Sequence, residues 1–356
     1  MIARPSKRTA LIGGGVIAVL VVGTVSVIAL SGNDTKKVTA QPSSTPSPSA
    51  SAKPTPKPTP AKKPAPAPVN PLTGLGKPPA GPVLAVKIDD TENGRPSVGL
   101  SQADVVYIEQ AEGGLTRLVA VFGTHKPTVE PVRSVRASDA ELLSQYGPIH
   151  LVASGGGGDS LTTLDHSIVK GIINDRGAAG FGRDNNRPAP YNLTANLAQM
   201  AASAKTGPSK NVGFTWSAKY PLLASAKSIG AVNTVVGSTG VSFVWDARLN
   251  RYVRTIAGQR VVYSDGNQAA TTNVLVQLCA VTTNPNDVDV MGNPSQFTHS
   301  IGRGKAVLFR NGKRIVGTWS RPNASSATTF RGPDGKPMLF APGGAYVVLA
   351  TNGAPV

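Results

Sequence analysis

Three spacings of apolar residues divide the chain. The first is a continuous run: residues 9–30, TALIGGGVIAVLVVGTVSVIAL, carry no charge. About 20 apolar residues in helical conformation cross the hydrocarbon core of a bilayer. Arg4, Lys7 and Arg8 precede the run, and basic flanks stay in the cytoplasm. Residues 1–8 are therefore expected as a cytoplasmic basic segment. Residues 9–30 are expected as a single-pass anchor that places the rest of the chain outside the membrane. The alternative is a signal peptide cleaved among the small residues around Ala29 and Ser31, which releases a secreted protein. Residues 31–69 have no apolar spacing and include TPSPSASAKPTPKPTPAKKPAPAP. Proline at this density excludes helix and core, so the segment is expected to be a disordered spacer, extended by roughly 3 Å per residue.

From residue 70 the pattern becomes that of a folded domain. PVLAVKI reads as a short strand, and ADVVYIEQAEGGLTRLVAVFG as a hairpin. With Gly113-Gly114 as a two-residue turn, Glu112 faces Leu115 and Gln110 faces Arg117. Val105, Tyr107, Glu109, Leu118, Ala120 and Phe122 then share one face. Both faces are mainly apolar, which predicts covering layers on both sides. SDAELLSQYG predicts a helix with a Ser138/Glu141 capping box and a stop at Gly147. A second helix is expected in YNLTANLAQMAASAKT, capped by Asn192 or Thr194. Residues 70–230 thus predict an N-terminal α/β subdomain with a mixed sheet. Beyond that point strand patterns dominate: VSFVWDARLNRYVRTI, the Asn311-Gly312 turn in KAVLFRNGKRIVGTW, and the Asp334-Gly335 turn. Residues 231–356 predict a mostly antiparallel β subdomain, so the fold class is α+β, with an α/β first part.

Composition narrows the chemistry. The formal charge is +17, and about half of that excess precedes residue 70. The basic remainder favours anionic partners. Export and the lack of an aromatic–basic array argue against nucleic acid. The single cysteine, Cys279, sits in NVLVQLCAV, which predicts a buried thiol with no intrachain disulfide and no catalytic role. His125, His150, His166 and His299 have no metal-ligand spacing, so neither a metal nor another cofactor is expected.

The candidate site begins with PVRSVR. Arg133 and Arg136 precede a helix start, where unpaired N–H groups favour anions and guanidinium forks match phosphate or carboxylate. Arg117 joins them from the hairpin. The competing reading pairs these arginines internally with Asp104, Glu109 or Glu112. SGGGGDS, residues 154–160, has the glycines of a phosphate loop without a Walker lysine, and reads first as a flexible surface loop. RPAPYN with Arg183 brings in Asn192, and Tyr191 either stacks on a ligand or packs against the following helix. The catalytic candidates are Asp89, Asp104, Glu109 and Glu112. They suit an envelope enzyme of phosphotransferase or glycan-cleaving type, with Glu109 among apolar neighbours that would raise its pKa.

The ordered series NPLTGL, RPSVGLSQADVVY, EGGLTRLVAVF, PVRSVR, RPAPYNL, NGKRIVGTW and FAPGG resembles the YerB-like lipoproteins of Gram-positive bacteria. The resemblance covers nearly all of residues 70–356. It implies a membrane-attached extracytoplasmic protein built from a two-part domain of unknown function, and it supplies no activity. The lipid-accepting cysteine of those lipoproteins has no counterpart after the apolar run here. The combined expectation is a membrane-anchored cell-envelope protein whose arginine-rich loops engage an anionic cell-wall polymer or a wall-acting protein.

Overall fold

The computed structural model describes residues 69–205, 207, 210–289 and 291–356. The basic segment, the apolar run and nearly all of the spacer lie outside the described residues. Among the described residues, no helix is long and apolar enough to cross a membrane.

Eleven strands form the main sheet: β1 (Leu84–Asp89), β2 (Val105–Gln110), β3 (Thr116–Phe122), β4 (His150–Ala153), β5 (Lys170–Ile173), β6 (Lys227–Ser228), β7 (Asn273–Cys279), β8 (Gly302–Arg310), β9 (Lys313–Arg321), β10 (Thr329–Arg331) and β11 (Ala345–Thr351). Their order is β6-β9-β8-β7-β11-β2-β3-β1-β4-β5, with β10 paired to β9. The β2–β3 hairpin forms one residue out of the expected register. Glu109 faces Arg117 and Gln110 faces Thr116. The cause is the turn: Glu112–Gly114 is a 3-10 turn, closed by the Ala111 N–H on the Leu115 carbonyl at 2.8 Å. The connection is therefore longer than two residues. A one-residue slip exchanges the faces of a strand. Arg117, Val119 and Val121 therefore share a face with Val105, Tyr107 and Glu109, while Leu118, Ala120 and Phe122 take the other.

Both faces are covered, as the two-sided apolar pattern predicts. On one side, Val83, Ala85, Val105, Tyr107, Val119 and Val121 pack with residues of two short helices, α1 (Ala137–Leu143) and α2 (Gly158–Asp165). The same layer includes aromatic residues Phe214, Phe330 and Phe340, with ring centroids 4.9–6.2 Å apart. On the other side, Val106, Ile108, Leu118 and Phe122 pack beneath a five-stranded antiparallel sheet and a third helix, α3 (Leu197–Ser203). Each fully buried Val, Leu or Phe side chain stabilises by roughly 1.5–3 kcal/mol relative to exposure.

The caps differ from those read in the sequence. α1 begins at Arg136, whose N–H donates to Asp139 Oδ2 at 2.7 Å. Ser138 lies inside the first turn, and Glu141 accepts from the amides of Ser300 and Ile301 at 2.6 and 2.9 Å. Glu141 thus satisfies a distant loop rather than its own helix. α3 is capped by Asn196, which accepts from the Gln199 N–H at 3.0 Å. Leu193–Asn196 is a strand, so Asn192 and Thr194 do not cap it.

The Asn311-Gly312 hairpin forms as expected, with φ of 51° and 67° at the two turn residues. The last strand departs from the antiparallel pattern. β11 lies parallel to β2 on one side and to β7 on the other. The two halves of the chain therefore share one continuous sheet.

Candidate functional site

The alternation that buries Val83 and Ala85 continues along β1 to Lys87 and Asp89. The same face of β2 runs from Val105 and Tyr107 to Glu109, and β3 reaches Arg117. One end of an apolar sheet face is therefore charged, and α1 with its preceding loop covers it. Lys87 is fully buried and ion-paired with both Glu109 and Asp139, the latter at 2.8 Å. Arg117 and Arg133 converge on Asp89, at 3.5 and 3.2 Å. Arg136 pairs with Glu112, which also accepts from Ser295 Oγ at 3.1 Å. Four cations thus meet four carboxylates, and the network as a whole is neutral.

Within it the charges are unevenly placed. The inner lysine has two carboxylates, whereas the outer Asp89 is shared by two guanidiniums. Side-chain exposure follows the same gradient: 0% at Lys87, 8% at Arg117 and 22% at Arg133. Burial lowers the Lys87 pKa to about 8, although the Asp139 charge opposes the shift. Burial also lowers that of Arg117, against the pull of Asp89. Burial alone would raise the Glu112 pKa, but the hydrogen bond and charge of Arg136 outweigh it and hold the carboxyl below its usual value.

Arg133 reaches the surface beside the proline-rich loop. Its guanidinium lies 5.4 Å from the centre of the Tyr191 ring, and its Nη1 donates to the Pro190 carbonyl at 3.4 Å. Tyr191 therefore stacks on an arginine and does not act as a hydrophobic staple. The next residue, Asn192, accepts from Arg183 Nη1 at 2.8 Å through its side-chain oxygen, in an exposed contact. Arg133, Tyr191, Asn192 and Arg183 follow one another across this face. In the same loop, Arg187 pairs with Glu130 at 3.7 Å and donates to the carbonyl of Pro96.

The remaining candidates lie apart or are engaged. Asp104 accepts from the amides of Gly123 and Thr124 at 2.6 and 2.8 Å. Glu109, expected among apolar neighbours, lies against Lys87 because the register is shifted. In residues 154–160 the glycines admit carboxylates of the protein itself. A Cβ at Gly155 would come within 1.9 Å of Asp175 Oδ2, and one at Gly158 within 2.2 Å of Asp287 Oδ1. The loop also braces the arginine segment: Val135 N–H donates to Gly155 O and Ser154 N–H to Arg133 O, at 2.8 and 2.9 Å.

Sequence reading passed over Lys87 and Arg254, and took Asp139 only as first-turn negative charge answering the helix dipole. Lys87 and Asp89 were detectable as same-face charges in an otherwise apolar strand. Arg254 forms a two-pronged pair with Asp90, both contacts at 2.7 Å and buried. These residues are 164 positions apart, and no local spacing links them. Among the described residues, no group of His, Cys, Asp and Glu is arranged to hold a metal ion. Cys279 is buried in β7, and burial raises its pKa.

Comparison with known proteins places the chain in a family. The family model described as "Protein of unknown function (DUF3048) N-terminal domain" matches residues 72–211. The corresponding C-terminal domain matches residues 231–347. "Putative lipoprotein YerB" of Bacillus subtilis (strain 168) is 27% identical over 285 residues, covering 76% of this chain and 81% of that protein. The crystal structure of Bacillus subtilis YerB shares the fold with a TM-score of 0.66 at 22% identity, over 80% of this chain and 97% of that one.

Proposed function

We propose, from the premise that the chain belongs to the DUF3048 family, that it is a membrane-attached extracytoplasmic module of the cell envelope that binds an anionic polymer. The ligand-binding face is that of Arg133, Tyr191, Asn192 and Arg183, with Arg117 behind Arg133. The observation that carries this reading is the sharing of Asp89 by two guanidiniums at the more exposed end of the network. One carboxylate leaves a positive excess there, and Arg183 adds a second exposed cation. Phosphate or carboxylate groups complete such a pair with charge-assisted hydrogen bonds. Arg136, closed against Glu112, holds the loop in place. Attachment runs through the apolar run of residues 9–30, because the only cysteine is the buried Cys279.

The test is binding of the purified chain to cell-envelope fractions, with and without teichoic acids, across a salt series. Affinity is expected to fall as salt rises, since exposed charges are screened within about 10 Å at 0.1 M. The double variant Arg133→Ala/Arg183→Ala is expected to weaken binding about tenfold or more, from two charge-assisted contacts. An unchanged near-UV circular dichroism spectrum would establish that its fold is intact. Full binding by that folded variant would end the proposal.

A further inference from the structure

We propose that the protein carries a second binding site, for an uncharged saccharide chain, in a cleft at the seam between the two halves of the chain. The cleft has a volume of about 730 Å³, within the range of ligand-holding pockets. Four stretches of chain supply its lining: residues 100–106, 249–251, 263–271 and 343–346. Ser101 and Asp265 hydrogen-bond across the seam, and Ser264 N–H donates to Ser97 O at 3.1 Å. The walls are thus fixed to each other.

The chemistry of the lining selects the ligand. Its acidic groups are already occupied. Asp104 accepts from two backbone amides, and Asp265 accepts from Ser101 and from Asn267, through both its backbone and side-chain amide. Arg251 is the cation on the lining, so no positive excess draws an anion here as it does at Arg133. What remains is amide chemistry: Gln102, the side-chain oxygen of Asn267, whose nitrogen is held by Asp265, and the side-chain nitrogen of Gln268, whose oxygen accepts from Arg260. Side-chain amides donate and accept side by side, which matches vicinal sugar hydroxyls and acetamido groups. Tyr263 and Tyr346 lie on the lining with their hydroxyls bonded to each other. Leu249, 48% exposed at the rim, offers an apolar surface for the C–H face of a pyranose. An extended peptide fits less well. β2 and β11 are paired on both sides, and the strand Ala270–Thr271, paired only with Arg251–Ile256, is two residues long and too short an edge to template an extended peptide.

The test uses the full-length chain in a zwitterionic detergent, which introduces no sugar headgroup, titrated with chitotetraose and separately with cellotetraose. The expected result is saturable binding of at least one probe, with Kd on the order of 1 mM or tighter. Gln102→Ala/Asn267→Ala is expected to weaken it about tenfold, the loss of two hydrogen bonds. Leu249→Ala, a rim substitution that keeps the backbone N–H donating to Asp246 Oδ1, should weaken binding in the same direction and keeps the test open if the double variant does not fold. Arg133→Ala/Arg183→Ala and added salt should leave saccharide binding unchanged. Those two controls separate this cleft from the arginine face, so either site can fail alone. Absence of saturable binding to both probes would overturn the proposal. So would full affinity in folded cleft variants, or loss of affinity in the arginine variant.

Discussion

Lys87 is the residue with the most consequence for its surroundings. It is an ammonium at 0% exposure, held between Glu109 and Asp139. Burial lowers its pKa from 10.5 to about 8. Between those values the unfolded chain binds more protons than the folded one, so stability rises with pH across that window. The penalty is fully present below pH 8, where both states are protonated. The buried tyrosines act in the opposite direction above pH 10. Tyr107 is raised to about 12, and Tyr146, Tyr263 and Tyr346 are also raised by burial. Urea midpoints measured from pH 8 to 10 are therefore expected to show an upward contribution of up to about 1.4 kcal/mol per pH unit. Lys87→Met is expected to remove that contribution. Identical pH slopes in the two proteins would exclude Lys87 as the group responsible. Part of this was legible: the alternation in PVLAVKIDD puts Lys87 and Asp89 on one face with Val83 and Ala85. The pairing of Lys87 with Asp139 on α1 was not.

At the scale of elements, turn residues located the hairpins, turn length set the β2–β3 register, side chains three residues away capped α1 and α3, and distant contacts decided the parallel placement of β11. The Asn-Gly turn of β8–β9 has the positive φ values that short hairpins favour. The Gly113-Gly114 turn was located correctly but misread in length, and every face assignment in that hairpin changed with it. β9 depends on a contact that no local pattern reports. A Cβ at Gly317 would come within 2.0 Å of the Arg331 carbonyl oxygen and 2.5 Å of the Met338 side chain. Gly317→Ala is expected to destabilise the protein by about 2 kcal/mol through overpacking, read as a lowered urea midpoint. A wild-type midpoint would mean that β10 can move away at no cost.

For the whole molecule, the central feature is the placement of β11. The last strand lies between β2 and β7, parallel to both. Asp90 and Arg254 tie the halves together again through a buried pair. The sequence boundary near residue 230, which the two family models also straddle, therefore does not predict two independently stable pieces. A chain ending at Gly344 loses a strand from the interior of the sheet, which exposes the apolar edges of β2 and β7. It is expected to be insoluble or protease-sensitive throughout, in limited proteolysis compared with the intact chain. A truncated chain with native resistance would show that β2 and β7 can pair without it.

The sequence by itself determined the class of the fold, the sites of most strands and several turns, the two-sided burial of the β2–β3 hairpin and the family. All of these depend on periodicity, turn chemistry or an ordered series of motifs, which are local or additive signals. Tertiary structure alone decided which carboxylate each arginine meets. Ion pairing depends on distances between segments as far apart as Asp90 and Arg254, and one residue of register exchanges the faces on which the charges lie. It also decided that a neutral network leaves its positive excess at the exposed end, because charge balance is a property of the assembled cluster and not of any one strand.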